Sequence, residues 1–466
     1  MEGFEYRGGE LFADQVSVDS IADAVGTPTY IYSAAALRAS YRRVVEAFSP
    51  LGVQVHYAVK ASSNLHLLRL LRGLGAGMDV VSGGELERAW IAGTPMAEIA
   101  FAGVGKTDEE LRAALDGRYS LLGEDARRLA GRDAVGRGTV GLFNVESESE
   151  LERLAVLAAE LGTKAKVCIR VNPDVDPQTH EYITTGKEEN KFGIEVHRVR
   201  GLFERFSRRR ELDLVGLHVH IGSSVRQVEP YVAATRVLVS LVDELEAAGY
   251  PISLLDLGGG WAVDYRDGES LPLQAFGTAL APLLLDRVER GLKILIEPGR
   301  SIAANAGLLV TRVQHVKEGR KRRFVICDAG MQTLVRPALY QAFHFIWPTR
   351  AKDAQVPTAW TTTPHLPDLR QSNVVGPICE SSDFLAKGRP LPEVERGDLL
   401  GVFSAGAYGM SMTSNYNDHP RPAEVLVDGS QVTLIGERQP LASLFECERQ
   451  PRTVDLSALE KAEVSC

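Results

Sequence analysis

A (β/α)8 TIM barrel with a second all-β domain, an α/β chain overall, is the fold that this sequence predicts. Three observations carry the prediction. Eight apolar, strand-like segments recur between about residues 53 and 300, each running into small or charged residues and mostly followed by an amphipathic helical stretch. Polar residues fall at the C-terminal ends of these segments one after another, whereas a doubly wound open sheet would gather them at one switch point. After Arg300 the rhythm gives way to β-rich segments with Gly and Asp-Gly turns.

Taken in order, residues 1–34 hold short strand-like pieces, notably TPTYIY from Thr27, expected to join the β-domain. A helix, AAALRASYRRVVEAF, follows. The barrel is expected over 35–305, the β-domain over 306–450, and a loosely held polar tail over 451–466. The first barrel segment, VQVHYAVK, alternates apolar and polar residues and stops on Lys60. The next three are GAGMDVVSGGE with Asp79, EIAFAGVGK closing on Gly103 to Lys106, and GLFNVESESE with Asn144 and Glu146. Then come KVCIRVNP with Arg170 and Asn172, and LVGLHVHIGSS with His220 and Ser223. The last two are LLDLGGGW with Gly258 to Gly260, and LKILIEPGR with Glu297 and Arg300. Stretches such as DEELRAALDG and SELERLAVLAAEL read as the intervening helices. In the second domain GLLVTRVQHVKEG, KRRFVICDAG, DLLGVFSAG and AEVLVDGSQVTLIGE read as strands. Residues 350–372, rich in Thr, Pro and Ala, read as a surface loop.

Composition narrows the function. Hydrophobic residues make up 44% and charged residues 24%, ordinary for a globular protein. A formal net charge of -9 argues against nucleic acid or an anionic membrane as a general partner. Five cysteines (Cys168, Cys327, Cys379, Cys447, Cys466) lie far apart without CxxC spacing, so neither a disulfide framework nor a metal site is expected. The acidic N-terminus lacks a secretion profile, and no apolar run nears the ~20 residues that span a bilayer. A cytoplasmic protein is expected.

The strand-end residues then carry the chemistry. A lysine at a strand mouth, as Lys60 is, is either an ion-pair partner or a functional amine. Poor solvation would lower its pKa and suit it to Schiff-base chemistry. Gly258-Gly259-Gly260 taken alone reads as a tight turn. The loops after the seventh and eighth strands, however, are the usual phosphate site of this barrel, and both carry glycine here. Ser223 could add a hydroxyl. Glu297 could pair with Arg300 for structure alone, or hold a pyridine-type nitrogen protonated. His220 could be a satisfied core histidine or a flat ring stacked on a planar cofactor. Together, a reactive lysine, a phosphate cradle, a carboxylate and a histidine at one barrel mouth point to pyridoxal 5'-phosphate.

The motifs HYAVKAS, GAGMDVVSGGEL, GVGKT, FNVES, HIGSS, DLGGGW, EPGRSI, VRPALY, GPICESSDFLA and AGAYGMSMTSNYN resemble those of the fold-type III pyridoxal-phosphate decarboxylases, an alanine-racemase-like barrel plus β-domain family. The resemblance runs from about Thr27 to Asn417, and the stretches NPDVDPQTHEYITTG, NKFGI and GPICESSD point to its diaminopimelate branch. It implies a carboxy-lyase that converts an amino acid, meso-2,6-diaminopimelate, to lysine. Carried over by position, Lys60 binds the cofactor covalently, Glu297 meets the pyridine nitrogen and His220 stacks on the ring. Ser223, Gly259, Gly260 and the EPGR backbone at Gly299 and Arg300 hold the phosphate, with Asp79 and Tyr408 also beside the cofactor. Arg300, Arg336 and Tyr340 hold substrate carboxylates, with Tyr408 nearby, and Glu380 recognises the distal amino-acid centre. Cys379 is the acid beside the reacting carbon. In the family it comes from the other subunit, so a homodimer with shared active sites is implied. Ser62 replaces the asparagine usual after AVKA, and the connections over 117–140 and 350–372 are longer than usual. A decarboxylase for another amino acid, such as ornithine, arginine, carboxynorspermidine or a carrier-bound substrate, is the alternative. Retention of Lys60, Cys379, Glu380 and Tyr408 argues against a non-catalytic cofactor binder.

Overall fold

The computed structural model describes residues 3–451 except 124, 131–135, 177–189, 267–271, 321, 359–360 and 362–363, and also describes residue 453. Eight parallel strands form a closed ring: Gln54–Ala58, Gly77–Val80, Ile99–Phe101, Leu142–Val145, Ala165–Asn172, Leu212–His218, Leu254–Asp256 and Lys293–Ile296. The last strand closes on the first through Leu295 opposite Gln54 and Ile296 opposite Val55. Strands covered on both faces read as near-continuous apolar runs; Gly77–Val80 and Leu142–Val145 are buried at every position. The helices between them start on side-chain caps. Ser82 accepts from the Glu85 N–H, Ser147 from the Glu150 N–H, and Thr107 with Glu110 forms a reciprocal capping box. Helix Glu148–Leu161 buries Leu151, Leu154, Ala155, Leu157 and Ala158, the helical spacing of one inward face.

The second domain is built on a sheet in the order Phe384–Leu391, Arg370–Val375, Arg323–Cys327, Gly307–Glu318, Thr29–Ser33, Ala423–Asp428, Gln431–Gly436. Leu399–Val402 joins it, bridging Gly307–Glu318 and Ile346–Pro348. The last two strands of the main order are a hairpin, and Gly429 at φ +62 supplies the left-handed conformation its tight turn requires. Thr29–Ser33, wholly buried, lies inside the sheet, antiparallel to Gly307–Glu318 and parallel to Ala423–Asp428. The strands Phe4–Arg7, Glu10–Ala13 and Val16–Ser17 instead pair among themselves, so of residues 3–34 only Thr29–Ser33 enters the large sheet.

The surface loop expected over 350–372 ends early, because a strand begins at Arg370. Its described part is also anchored. The Trp347 indole donates to the Gln355 carbonyl at 3.0 Å, and the buried Gln355 amide donates to the Pro367 carbonyl at 3.1 Å. A buried glutamine bonded through both its backbone carbonyl and its side-chain amide holds a loop in place. The predicted tail over 451–466 lies outside the described residues save 451 and 453. No helix among the described residues is long and apolar enough to cross a membrane.

Buried ionisable groups make stability depend on pH. His56, on the first barrel strand, packs its ring where a Cβ on Gly77 would sit, and burial pushes its pKa down to about 4. In the unfolded chain a histidine titrates near ~6.5. As pH falls from about 6.5 to about 4 the unfolded chain therefore binds a proton that the native fold refuses, and stability is lost across that window, by about 3 kcal/mol in all. Urea denaturation between pH 6.5 and 4.5 checks this: His56→Asn reduces the slope of stability against pH, and a slope equal to the parent's would refute the assignment.

Candidate active site

The barrel's C-terminal mouth gathers the strand-end residues. Lys60 sits in a single 3-10 turn, Val59–Ala61, directly after the first strand. Ala58 pairs in register with Asp79 on the second strand, which brings the Asp79 carboxylate to 3.2 Å from Lys60 Nζ. Sequence reasoning expected a lowered lysine pKa, and the structure reverses the direction. Desolvation does pull the half-buried ammonium down, but Asp79 and Glu297 outweigh it and hold the pKa above the ordinary value. The free amine is thus stored charged, with Asp79 as counter-ion.

Lys60, His220 and Glu297 line one cavity of about 450 Å³, together with Glu146, Arg170, Phe192 and His218. Beneath it lies a network that sequence reasoning missed. Asn144 Nδ2 donates to Asp256 at 2.9 Å and to Glu297 at 3.1 Å, and His218 Nε2 stands 3.4 Å from Glu297 Oε2. Burial raises Asp256 well above the carboxylate range, and the neighbouring Glu297 charge adds to that. Glu297 is pushed up by burial too, but His218 and Lys60 bring it below the ordinary range. Of the two buried carboxyls, Asp256 keeps the proton and Glu297 is ionised. Glu297 makes no pair with Arg300; its partners are His218 and Asn144.

His220 is neutral, its pKa driven well down by burial and by Lys60, and its Nδ1 accepts from the Gly259 N–H at 3.2 Å. That bond ties the cavity to the glycine loop. A Cβ on Gly259 would meet the Glu297 carbonyl at 1.9 Å, and one on Gly260, at φ +103, would meet the Gly222 carbonyl at 1.9 Å. Only bare backbone fits where these loops converge. On the same side Gly299 approaches so closely that its Cβ would sit 3.0 Å from those of Ala58 and Ala61.

Arg300 donates to Ser223 Oγ at 2.9 Å and to the Tyr265 hydroxyl at 2.8 Å, and its guanidinium lies 4.7 Å from the Tyr408 ring centroid. Tyr408 is fixed in turn by its own N–H, which donates to the Ala61 carbonyl beside Lys60 at 2.7 Å. Arg336 lies 4.8 Å over the Tyr265 ring and contacts His344 at 2.8 Å. Tyr340 closes the short helix Arg336–Tyr340, near enough for its hydroxyl to influence Arg300. Both arginines are buried, and neither pairs with a carboxylate among the described residues.

Cys379 and Glu380 are placed differently. Both are exposed, and neither lines the Lys60 cavity. Their loop is held by Asn417 Oδ1, which accepts from the Cys379 N–H at 3.2 Å, and by the Tyr416 hydroxyl, which donates to Glu380.

The pyridoxal binding domain of the pyridoxal-dependent decarboxylases matches residues 34–304. Diaminopimelate decarboxylase of Pseudomonas aeruginosa is 46% identical over 96% of this chain and 99% of its own. The chain belongs to the diaminopimelate decarboxylase family. The family's solved structures agree. That from "m. jannaschii" in complex with L-lysine superposes with a TM-score of 0.84 at 35% identity, covering 97% of this chain and 99% of the other. That from Helicobacter pylori with L-lysine gives 0.80 at 35% identity, covering 92% and 98%. The family's cofactor fits the residues present. A lysine amine that can pass its proton to Asp79, an ionised carboxylate and a bare glycine cradle beside an arginine without a carboxylate partner would meet a carbonyl, a basic ring nitrogen and a phosphate.

Among the residues missed, His218 carried a signal. In HVHIG strand alternation puts His218 and His220 on one face, and only His220 was read. Asn144 was noted only as a polar strand end, Asp256 stood in the DLGGGW motif without being given a role, and Tyr265 and His344 lay outside the motifs.

Proposed function

We infer that this chain decarboxylates meso-2,6-diaminopimelate to L-lysine and CO2, with pyridoxal 5'-phosphate on Lys60, in the cytoplasm. The observation that carries the reading is the pair of buried guanidiniums, Arg300 and Arg336, without carboxylate partners among the described residues at the mouth that holds Lys60. A buried charge is stable only when compensated, and two such sites suit a phosphate and a substrate carboxylate, which guanidinium forks match.

When bound, the cofactor supplies an electron sink for the electron pair left as the C–CO2 bond breaks. The chain's residues do the rest. Glu297, kept ionised above Asp256, is the group to hold a proton at the ring nitrogen. Neutral His220 presents its ring to the cofactor without adding charge. Ser223, Gly259, Gly260, Gly299 and Arg300 hold the phosphate; Asp79 orients the Lys60 amine. Arg336 and Tyr340 hold substrate carboxylate, with Tyr408 packed against Arg300.

The exposed loop at Cys379 and Glu380 does not line the Lys60 cavity among the described residues, which supports a homodimer in which it completes the partner's site. There the Cys379 thiol delivers a proton to the reacting carbon and Glu380 binds the distal ammonium. The described cysteines are all free thiols, as a reducing compartment keeps them.

Release of CO2 by purified protein with added cofactor tests the reading on meso-diaminopimelate, lysine, ornithine and arginine. Lysine formed from meso-diaminopimelate alone is the expected result. CO2 from ornithine or arginine in preference would overturn the substrate assignment.

A further inference from the structure

Arg336 owes its position to a residue that neither the motifs nor the cavity lining marks. His344 is fully buried, eight residues further on, and both its ring nitrogens are engaged. Nδ1 lies 2.9 Å from the Phe403 carbonyl and Nε2 lies 2.8 Å from Arg336 Nη1. A carbonyl only accepts and a guanidinium only donates, so the proton sits on Nδ1 and Nε2 offers its lone pair. The contacts allow one tautomer, and a second proton would set N–H against N–H. Burial and the Arg336 charge act in the same direction, holding the ring well below the ordinary histidine pKa.

The histidine is itself fixed. Its carbonyl accepts from Arg389 Nη1 at 2.7 Å, and its ring meets Tyr265 edge-on, centroids 5.4 Å apart at 77°. Tyr265 presents its face to Arg336 and its hydroxyl to Arg300. Arg336 is thereby held from one side by a lone pair and from another by Tyr265, whose ring it overlies.

We propose that His344 is a positioning residue for substrate recognition: its Nε2 lone pair aims Arg336 at the carboxylate of the amino-acid centre that does not react, so that it selects substrates with a second carboxylate without touching them. The proposal rests on the reading of Arg336 as a carboxylate-holding residue of a diaminopimelate decarboxylase.

Two variants of the holoenzyme separate this role from simple packing. His344→Gln places an amide oxygen where Nε2 accepts, and His344→Asn keeps a donor for the Phe403 carbonyl but falls short of Arg336. Inhibition by L-lysine, which keeps one carboxylate, is compared with inhibition by 1,5-diaminopentane, which has none. His344→Asn is expected to raise KM for meso-diaminopimelate about tenfold or more with kcat within about twofold, the size of a lost hydrogen bond to a charged group. The L-lysine inhibition constant rises in parallel, that of 1,5-diaminopentane stays put, and His344→Gln recovers most of the loss. Equal weakening of both inhibitors, or a fall in kcat without a rise in KM, would overturn the proposal. Should His344→Asn not fold, His344→Gln decides alone: KM within about threefold of the parent supports the acceptor role, and a rise above about tenfold with the fold intact overturns it. A parent enzyme that releases CO2 only from another amino acid marks failure of the substrate reading instead, and the two inhibitors still test His344.

Discussion

Alanine in place of Lys60 lowers turnover of meso-diaminopimelate by at least about a thousandfold, because the amine that binds the cofactor covalently has no substitute at that strand end. Asp79 is then left buried beside an empty position, with one oxygen already lacking a partner. The variant still folds, since no residue of the hydrophobic core is changed. The cofactor's absorbance in the protein shifts to that of the free aldehyde, and kcat falls with it. Mixing Lys60→Ala with Cys379→Ala under exchange conditions restores activity to about a quarter of the parent's, because half of the dimers then carry one site with both residues intact. Mixtures as inactive as their components would place Cys379 outside the partner's site. Retained turnover by Lys60→Ala alone would remove Lys60 from the chemistry.

Glutamine at Glu297 costs about a hundredfold or more in kcat with KM changed little, since an amide cannot hold a proton at the ring nitrogen as an ionised carboxylate does. The buried surroundings sharpen the effect. His218 and Asn144 are both set toward Glu297, and Asp256 keeps its proton so that Glu297 can be ionised. Circular dichroism checks that the fold persists and stopped-flow kinetics reads kcat. A kcat within threefold of the parent's would show that Glu297 only braces the barrel.

The barrel was legible because its period is local: each strand and its helix declare themselves within about thirty residues, and this fold puts its chemistry at strand ends. Lys60, His220, Glu297 and the glycine loop followed from that geometry. What depends on neighbours from distant strands was not legible. The charge state of Lys60 is set by Asp79 from the second strand and Glu297 beyond the eighth, so burial alone predicted the wrong direction. Asp256 and His344 are polar residues in apolar runs, and only three-dimensional partners distinguish them from ordinary core positions. The strand at Arg370 hid in a Pro- and Thr-rich stretch because its pairing with Arg323–Cys327 and Phe384–Leu391 overrides local composition.

Thr29–Ser33 has a consequence for how the protein is made. It is made before the barrel strands, yet one of its two neighbours is Ala423–Asp428, and the Thr29 hydroxyl donates to the Ala423 carbonyl 394 positions away. The barrel can close during synthesis, since all eight of its strands have emerged by Ile296. The sheet cannot, and Thr29–Ser33, buried in the finished fold, keeps one edge unpaired until Ala423–Asp428 has been made. A chain cut between Ile296 and Ala423 therefore yields a closed barrel carrying a bare strand edge, a form prone to aggregate and open to proteolysis.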